Sequence, residues 1–447
     1  MPEMKSFLIS PPVREAMQAQ TSPQPIPVIV TLNEPKDHPE LGLESSRDRI
    51  KEILQSRKIA FRESDFYIFA HLLPADIEAL AQEPAAVYQI WKDETCRTHV
   101  LASADTIKAS ACWRTFDARG KGITWAILDT GIRSDHPHFR QFANLEVQLS
   151  KNFSNSASLE DVNGHGTHVA GIIAGARLAA DLNGKPIKAA TFVEGQLQPQ
   201  LVDLPGFPSG MAPMAKLVNL KVLDDDGSGS TSNCILALQY VRKLNQASRN
   251  VKIDGINMSL GYPFDPRWYG CGKSPLCQEV NRAVDSGCVV VVSCGNSGYG
   301  VTKLSTGEEV PTWIALSITD PANAASAISV GSVHKAAPHS YGVSYFSSKG
   351  PTGDGRLKPD LVAPGEKVIS CSVHLDQGYE YEERSGTSMA APHVSGAIAA
   401  FLSLHQEFRG DPYKIKEIFR KTAVDLNRAP EFQGAGIVDL MRAMLSV

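Results

Sequence analysis

The sequence predicts an α/β protein with a mostly parallel, twisted sheet that has helices on both faces, preceded by a small α+β unit. Two observations support this prediction. From Gly122 onward, apolar runs of strand length alternate with helix-like segments, which is typical of a parallel sheet covered on both faces. Before residue 94, a shorter β-α-β-α-β pattern is present. A chain of 447 residues is long enough for two such domains.

The small unit occupies residues 1–100, including a linker at its end. Its apolar residues alternate as in half-buried strands, and its helical segments begin at a serine-rich or proline start. The predicted elements are strands 25–32, 66–72 and 86–93, and helices 44–61 and 74–84. Residues 94–116 are polar and irregular, which indicates a linker that extends past residue 100.

The large unit occupies residues 105–447. Its predicted strands are 122–131, 215–223, 253–261, 288–296 and 327–333. Residues 176–210 interrupt the alternation with glycine, proline and polar residues, and we interpret them as a surface insertion. In an open parallel sheet, sites lie at the carboxyl ends of the strands. Functional residues are therefore expected where these runs end.

Composition excludes some classes of partner. The net charge of −4 and a pI of about 6.3 argue against binding to nucleic acid or to an anionic membrane surface. No apolar run approaches the length of a spanning helix, and the first residues do not read as a signal peptide. We therefore expect a cytoplasmic protein, with secretion by another route left open. Cys271 and Cys277 are then expected to be free thiols, with a loop disulfide as the alternative.

Four polar residues stand at ends of these apolar runs or at helix starts. They are Asp129 in "ILDTGI", His165 in "NGHGTHVAG", Asn296 in "SCGNSG" and Ser388 in "SGTSMAAPHVSG". Taken singly, each has an ordinary structural explanation, such as helix capping for the residues around Ser388. Together they fit nucleophilic catalysis, with Ser388 as nucleophile, His165 as base and Asp129 orienting the imidazole. The amide of Asn296 and the backbone N–H of Ser388 would then stabilise an oxyanion.

The motifs "AILDTGI", "NGHGTHVAG", "NMSLG", "VVVVSCGNSG" and "SGTSMAAPHVSG" occur in this order. In types and order they resemble the subtilisin-like serine proteases, the subtilases, over about residues 105–447. The resemblance implies a serine endopeptidase whose aspartate, histidine and serine are Asp129, His165 and Ser388. It also implies that Asn296 is the oxyanion-hole asparagine. Two other readings remain open: a catalytically silent peptide-binding homologue, and a ligase that transfers the acyl group to an amine.

The resemblance also implies a binding site for an extended protein or peptide substrate. Two edges would pair with the substrate backbone, and a third group would line the pocket for the side chain before the scissile bond. The edges are Gly227, Ser228 and Gly229, and Ser259, Leu260 and Gly261; the pocket residues are Ser293, Cys294 and Gly295. These small pocket residues leave space for a large apolar side chain. The acids at 224–226 would either favour basic residues upstream in the substrate or form a solvated loop.

Three other histidines raise the question of metal. His168 lies three residues after His165, but a His-x-x-His pair without an acidic or thiolate partner is a weak metal signal. His393 is expected to pack within a helix. His138 stands where many subtilisins have a calcium-binding aspartate, which puts that calcium site in doubt, and other sites remain unknown. No cofactor is required for the predicted chemistry.

The small unit resembles, in pattern and placement, the inhibitor-type propeptide of subtilases, which has a ferredoxin-like fold. This resemblance implies a zymogen that processes itself, with the small unit acting as an intramolecular inhibitor. The linker would enter the substrate cleft and be cut between about Thr95 and Asp105. The alternative is an accessory domain without inhibitory function.

Overall fold

The structure is a computed structural model. It describes residues 8–447 except for 21, 34–41, 94–101, 178–184, 193–198, 205, 207, 248–250, 266, 268, 269, 304 and 306. The chain separates into two compact units, Met1–Thr98 and His99–Val447. Each unit has a hydrophobic core of its own. Residues 94–101 of the predicted linker, and with them much of the range predicted for cleavage, lie outside the described residues. The remainder of the predicted linker is corrected, because residues 102–106 and 109–116 are helices that contribute to the core of the second unit. Alanine and serine give these short helices little apolar periodicity.

The first unit is a four-stranded antiparallel sheet with the order β2-β3-β1-β4. Its elements are α1 (Pro11–Gln18), β1 (Ile26–Leu32), α2 (Gly42–Ser56), β2 (Phe61–Glu63), β3 (Tyr67–Leu72), α3 (Pro74–Leu80) and β4 (Val87–Lys92). The predicted strands and helices are all present, while α1 and β2 are additional. The helix predicted to reach residue 61 ends at Ser56, and Phe61 instead pairs with Ala70 of β3. A strand of three residues is too short to give a recognisable periodicity.

The second unit is built on a seven-stranded sheet with the order β15-β14-β11-β10-β5-β9-β6, and all its pairings are parallel. The strands of this unit are β5 (Thr124–Asp129), β6 (Lys151–Asn152), β7 (Ile187–Thr191), β8 (Gln200–Leu204), β9 (Lys216–Lys221), β10 (Gly255–Met258), β11 (Val289–Ser293), β12 (Tyr299–Lys303), β13 (Glu309–Trp313), β14 (Ile328–His334), β15 (Leu361–Glu366), β16 (Val368–Cys371) and β17 (Tyr381–Arg384). The five strands predicted from the sequence are β5, β9, β10, β11 and β14. The predicted α/β class with a mostly parallel sheet is thereby confirmed.

Helices cover both faces of this sheet. They are α4 (Ala102–Thr106), α5 (Ala109–Phe116), α6 (His165–Ile173), α7 (Thr231–Gln246), α8 (Pro275–Asp285), α9 (Pro338–Tyr341), α10 (Thr387–Leu404), α11 (Pro412–Thr422), α12 (Pro430–Gln433) and α13 (Leu440–Met444). Along β5, Trp125 and Ile127 enter the core that contains α6 and α10, whereas Ala126 and Leu128 enter the core that contains α7 and α8. This alternation places one layer of helices on each face.

Helix α10 is the one described helix that is long and apolar enough to span a membrane. However, 83% of it is buried inside the protein, as expected of a core helix. Its first turn carries Ser388, so the nucleophile predicted from the sequence stands at the start of a helix that is anchored in the core.

The segment 176–210 is more than a surface insertion, and that interpretation is corrected. Strands β7 and β8 form an antiparallel hairpin, and β7 also pairs with β17 in a second sheet, β16-β17-β7-β8. Ile187 and Ala189 of β7 are buried in the main core. The strand pattern was hidden because alanine is a weak strand signal and polar residues flank it. Residues 178–184 and 193–198 lie outside the described part of the chain.

The described cysteines are free and buried, including Cys271 and Cys277. The favoured interpretation of this pair as free thiols matches the structure. Cys96 lies outside the described residues.

Candidate active site

The fold brings the ends of three elements to one edge of the main sheet. Strand β5 ends at Asp129, α6 begins at His165, and α10 carries Ser388 in its first turn. Because β5 is a central strand, the backbone before Asp129 is fixed by pairing on both sides. The side chain of Asp129 is therefore held at the edge where an open parallel sheet places its functional groups.

Asp129 and His165 are in direct contact. The Nδ1 atom of His165 lies 2.7 Å from Oδ1 of Asp129, which also accepts a hydrogen bond from the N–H of Thr130 at 2.8 Å. The Asp129 side chain is 1% exposed, while that of His165 is 23% exposed. Burial opposes charge on His165, but the adjacent Asp129 carboxylate and its hydrogen bond outweigh burial and raise the pKa of His165 above 6.5.

Ser388 is joined to Ser259 by two hydrogen bonds. The hydroxyl of Ser388 donates to the carbonyl oxygen of Ser259 at 3.1 Å, and the hydroxyl of Ser259 donates to the carbonyl oxygen of Ser388 at 2.8 Å. These bonds fix the first turn of α10 against the segment that follows β10. The predicted nucleophile thus lies beside one of the two predicted substrate-binding edges.

The side-chain oxygen of Asn296 is fully used by Thr387. Oδ1 accepts hydrogen bonds from the Thr387 N–H at 2.9 Å and from its hydroxyl at 3.0 Å. A methyl group added at Gly386 would lie 3.5 Å from Nδ2 of Asn296 and 3.7 Å from the nitrogen of Ser388. Both donors therefore flank one space, which the glycine leaves open. An arrangement of this kind is suited to binding an oxyanion.

A cavity of about 490 Å³ opens beside His165. All six residues of the two predicted edges line it: Gly227, Ser228, Gly229, Ser259, Leu260 and Gly261. The rest of the lining is mixed, with Leu223, Cys234, Tyr262 and Leu276 as larger side chains with apolar surface and Thr130, Asn163, Ser230 and Thr231 as polar ones. The cavity can therefore accept an apolar side chain next to a peptide that runs between the edges.

The three predicted pocket residues do not line this cavity. Ser293 and Cys294 are buried, and the thiol of Cys294 contacts the carbonyl oxygen of Ser348 at 3.4 Å. The N–H of Gly295 donates to the Thr387 hydroxyl at 3.2 Å. These contacts hold the start of the loop that joins β11 to β12, residues 294–298, which carries Asn296 and is called the Asn296 loop below. The lining of the pocket by the three side chains stays a prediction.

The acids at 224–226 are occupied by local contacts. Asp224 accepts a hydrogen bond from the N–H of Asn155 at 2.7 Å, and Asp225 pairs with Lys221 at 2.7 Å. Asp226 accepts from the N–H of Ser228 at 2.8 Å. These contacts favour the interpretation as a structured loop over a role in selecting basic residues.

His168 and His393 are both buried. The Nε2 of His168 lies 3.1 Å from the carbonyl oxygen of Glu382, and burial lowers the pKa of His168 well below 6.5. Nδ1 of His393 lies 2.7 Å from the carbonyl oxygen of Met389, one turn earlier in α10. Neither ring faces the cavity beside His165, since neither residue is among those that line it.

The calcium position also differs from that of many subtilisins. Nδ1 of His138 lies 3.0 Å from the Tyr381 hydroxyl, and Nε2 lies 3.1 Å from the carbonyl oxygen of Ala174. Burial lowers the pKa of His138 to about 3, so the ring is neutral. A buried imidazole with both nitrogens engaged does not fit calcium, which prefers oxygen ligands. Within the described residues, no cluster of three His, Cys, Asp or Glu side chains could hold a metal.

Asp161 is a residue that sequence reasoning missed. Its carboxylate accepts hydrogen bonds from the Thr130 hydroxyl at 2.9 Å and from the N–H groups of Gly164 at 2.8 Å and Thr167 at 2.8 Å. It therefore ties the start of α6, which carries His165, to the residue after Asp129. An acid a few residues before "NGHGTH" was the available signal, because acids near a helix start commonly cap free N–H groups.

Comparison with known proteins identifies the family. The sequence model of the subtilase family matches residues 120–436. The chain is 28% identical to serine protease AprX of Bacillus subtilis over 408 residues, or 87% of this chain and 82% of that protein. It is 32% identical to the major intracellular serine protease of Bacillus subtilis over 343 residues, or 75% of this chain and 86% of that protein. It is 30% identical to the intracellular serine protease of Paenibacillus polymyxa over 362 residues, or 79% of this chain and 89% of that protein. The chain therefore belongs to the subtilase family and is a subtilisin-like serine endopeptidase.

Proposed function

We propose that this endopeptidase cuts peptide bonds through Asp129, His165 and Ser388, with Asn296 in the oxyanion hole. The observation that carries the proposal is the 2.7 Å contact between His165 and Asp129, at the rim of a cavity lined by both predicted substrate-binding edges. Asp129 holds the proton on Nδ1, which leaves Nε2 as the basic nitrogen.

The reaction then follows from these groups. Nε2 of His165 takes the hydroxyl proton of Ser388 as Oγ bonds to the substrate carbonyl carbon. The carbonyl oxygen becomes an oxyanion, which receives hydrogen bonds from Nδ2 of Asn296 and the N–H of Ser388. His165 gives the proton to the departing amine, which leaves the acyl group bonded to Oγ of Ser388. Water then attacks this ester, while His165 takes a proton from the water and returns it to Oγ as the acid is released.

The substrate is an extended peptide that pairs with Gly227–Gly229 on one side and Ser259–Gly261 on the other. Main-chain hydrogen bonds to such edges give affinity, and pockets give selectivity. The apolar part of the cavity lining, which includes Leu223 and Leu276, supports selection of an apolar side chain upstream of the scissile bond. The names of two relatives as intracellular proteases support a cytoplasmic location.

The first unit is proposed to be an intramolecular inhibitor that stays bound as a product after self-cleavage. One face of its sheet is covered by α1, α2 and α3. The residues of β1 that alternate with the core positions, such as Ile29, face the other side together with Phe69 and Trp91, their partners in the sheet. Trp91 and Tyr67 are exposed in the structure, at 43% and 41%. An aromatic sheet face of this kind supports docking against another protein surface.

The test is an assay with casein and a chromogenic peptide, with and without a serine-directed phosphonate, with products followed by mass. We expect hydrolysed fragments, and a phosphonate adduct on Ser388. Products joined to an added amine would indicate a ligase, and peptide binding without any cleavage would indicate a silent homologue. Either result would overturn the proposal.

A further inference from the structure

Lys349 is a buried cation behind the Asn296 loop. Its side chain is 2% exposed, and Nζ donates hydrogen bonds to the carbonyl oxygens of Gly298 at 3.0 Å, Tyr345 at 3.1 Å and Ser347 at 2.8 Å. An ammonium group has three N–H donors, so all of them are used. Taking a charge out of water costs free energy, and the three hydrogen bonds to carbonyl oxygens offset part of that cost.

One of these three carbonyls belongs to the loop that carries the predicted oxyanion residue. Gly298 is two residues after Asn296. Its carbonyl oxygen also accepts a hydrogen bond from the N–H of Ile314 at 3.1 Å, where the β12–β13 hairpin returns. Lys349 therefore joins the end of the loop and the base of the hairpin at a single oxygen.

The backbone around Lys349 holds the same loop by further bonds. The N–H of Gly298 donates to the carbonyl oxygen of Phe346 at 2.9 Å, and the N–H of Ser297 donates to the Ser348 hydroxyl at 3.1 Å. Any side chain at Gly298 would collide with the carbonyl of Ser347 and with the Lys349 ammonium. The close approach of these two segments thus depends on glycine at this position.

Aromatic rings close the site over Lys349. Nζ lies 4.6 Å from the centroid of the Trp313 ring and 5.1 Å from that of Phe432, both within the range of cation–π attraction. Tyr299, which is the cross-strand partner of Trp313 in the hairpin, packs edge-on against Trp313 with ring centroids 5.2 Å apart. Burial lowers the pKa of Lys349 to about 8, which agrees with an ammonium removed from water.

We propose that Lys349 is a positioning residue that sets the Asn296 amide in the oxyanion hole. The inference rests on the proposed function. Thr387 fixes the rotation of the amide by binding Oδ1, and Lys349 fixes the backbone that carries it by binding Gly298. The amide is thereby held from both sides before substrate arrives, which is the preorganisation that oxyanion stabilisation requires.

The experiment measures kcat and KM of Lys349→Met on a chromogenic peptide. Methionine has a similar length but neither charge nor N–H donors. We expect kcat to fall about tenfold, less than the 100- to 1,000-fold loss of an oxyanion donor itself, with KM little changed. The matched control is Lys416→Met, because Lys416 is another largely buried lysine, bonded to the carbonyl oxygens of Ala325 at 3.0 Å and Ala327 at 2.7 Å. We expect its kcat to stay within twofold of the unmodified protein, on the order of measurement scatter.

A double-mutant cycle with Asn296→Ala gives the decisive readout. If Lys349 acts through Asn296, adding Lys349→Met to Asn296→Ala should cost little further kcat. The same tenfold loss in both backgrounds, or a change in KM alone, would overturn the inference. If Asn296→Ala itself leaves kcat unchanged, the oxyanion role in the proposed function fails, and that result does not depend on Lys349. Should Lys349→Met not fold by circular dichroism, Lys349→Gln replaces it in the same cycle, because glutamine is uncharged but keeps two of the three N–H donors.

Discussion

Thr387 binds the amide oxygen of Asn296 twice, through its backbone N–H and its hydroxyl. Thr387 immediately precedes Ser388, so the residue beside the predicted nucleophile also selects the direction in which the Asn296 N–H₂ group points. The two amide atoms of asparagine differ in hydrogen-bonding role, and an oxygen held by two donors leaves the nitrogen to face the open side. The residues predicted to be the nucleophile and the oxyanion-hole donor are thereby fixed relative to each other through Thr387.

Ser388→Ala should abolish hydrolysis while leaving the fold intact. The substitution removes one hydrogen bond, from the Ser388 hydroxyl to the carbonyl oxygen of Ser259. The bond from the Ser259 hydroxyl to the backbone carbonyl of residue 388 remains. Losses of the triad serine reach about a million-fold in rate in subtilisin. Peptide-ester turnover measures the effect, and circular dichroism checks the fold. A variant that kept a hundredth of the wild-type turnover would show that Ser388 is not the nucleophile.

Asn296→Ala should lower kcat by about 100- to 1,000-fold, the range known for this loss in subtilisin, with little change in KM. The reason is that the amide gains most of its interaction when the carbonyl oxygen becomes charged. Steady-state kinetics on a peptide substrate separate the two constants. A large rise in KM at unchanged kcat would instead assign Asn296 to binding of the ground state.

Activity should decrease on the acid side as His165 takes up a proton. Its pKa is raised, because Asp129 favours the charged imidazolium, so the inflection in kcat/KM should lie above pH 6.5. Below it, activity should fall about tenfold per pH unit. The profile is measured on enzyme shown to remain folded at each pH. A flat profile from pH 5 to 9 is incompatible with a histidine base.

The free energy of unfolding should fall as the pH drops below 6.5. Burial lowers the pKa of His136 and His393 to about 4 and that of His138 to about 3, so the native state stays unprotonated while the unfolded chain binds protons. Each such histidine costs about 1.4 kcal/mol per pH unit between 6.5 and its native pKa. The raised pKa of His165 stabilises the folded state instead. This contribution to the free energy of unfolding is constant below pH 6.5 and decreases above it, so it does not change the slope between pH 6.5 and 5.

Urea unfolding of the Ser388→Ala variant at pH 7, 6 and 5 measures this loss without self-digestion. The midpoint should move to lower urea at each step. As a control, His393→Gln removes one titrating ring and should reduce the slope with pH. Midpoints that stay constant from pH 7 to 5 would refute the assignment of neutral, buried rings.

The separately produced fragment 1–100 should inhibit the mature enzyme, and Ser388→Ala should accumulate as an uncut chain. Inhibition is expected because the first unit should keep its affinity for the catalytic unit after the cut, although it no longer has the high effective concentration of a tethered domain. The uncut chain is expected because the cut requires Ser388. Titration of the fragment against peptide hydrolysis measures inhibition. With the fragment folded by circular dichroism, no inhibition at tens of micromolar would leave an accessory domain.

The sequence predicted the elements whose residues carry a strong local signal. Strand β11 is buried on both faces, so its sequence is a run of four valines followed by a serine, and that run predicted the strand. The family motifs supplied the predicted site residues Asp129, His165, Asn296 and Ser388. Periodicity did not reveal β7, where alanines take the place of larger apolar residues. Nor could it reveal Lys349, because a lysine in a polar stretch normally indicates a solvated surface. Its burial depends on Trp313 and Phe432, which come from distant parts of the chain.

Helix α10 links the position of Ser388 to the state of the core. Its first turn carries Ser388, and nearly all of its remaining length is buried. Local opening of a protein begins where few buried apolar contacts hold the chain. The backbone that carries Ser388 is therefore expected to keep its place until the core itself opens.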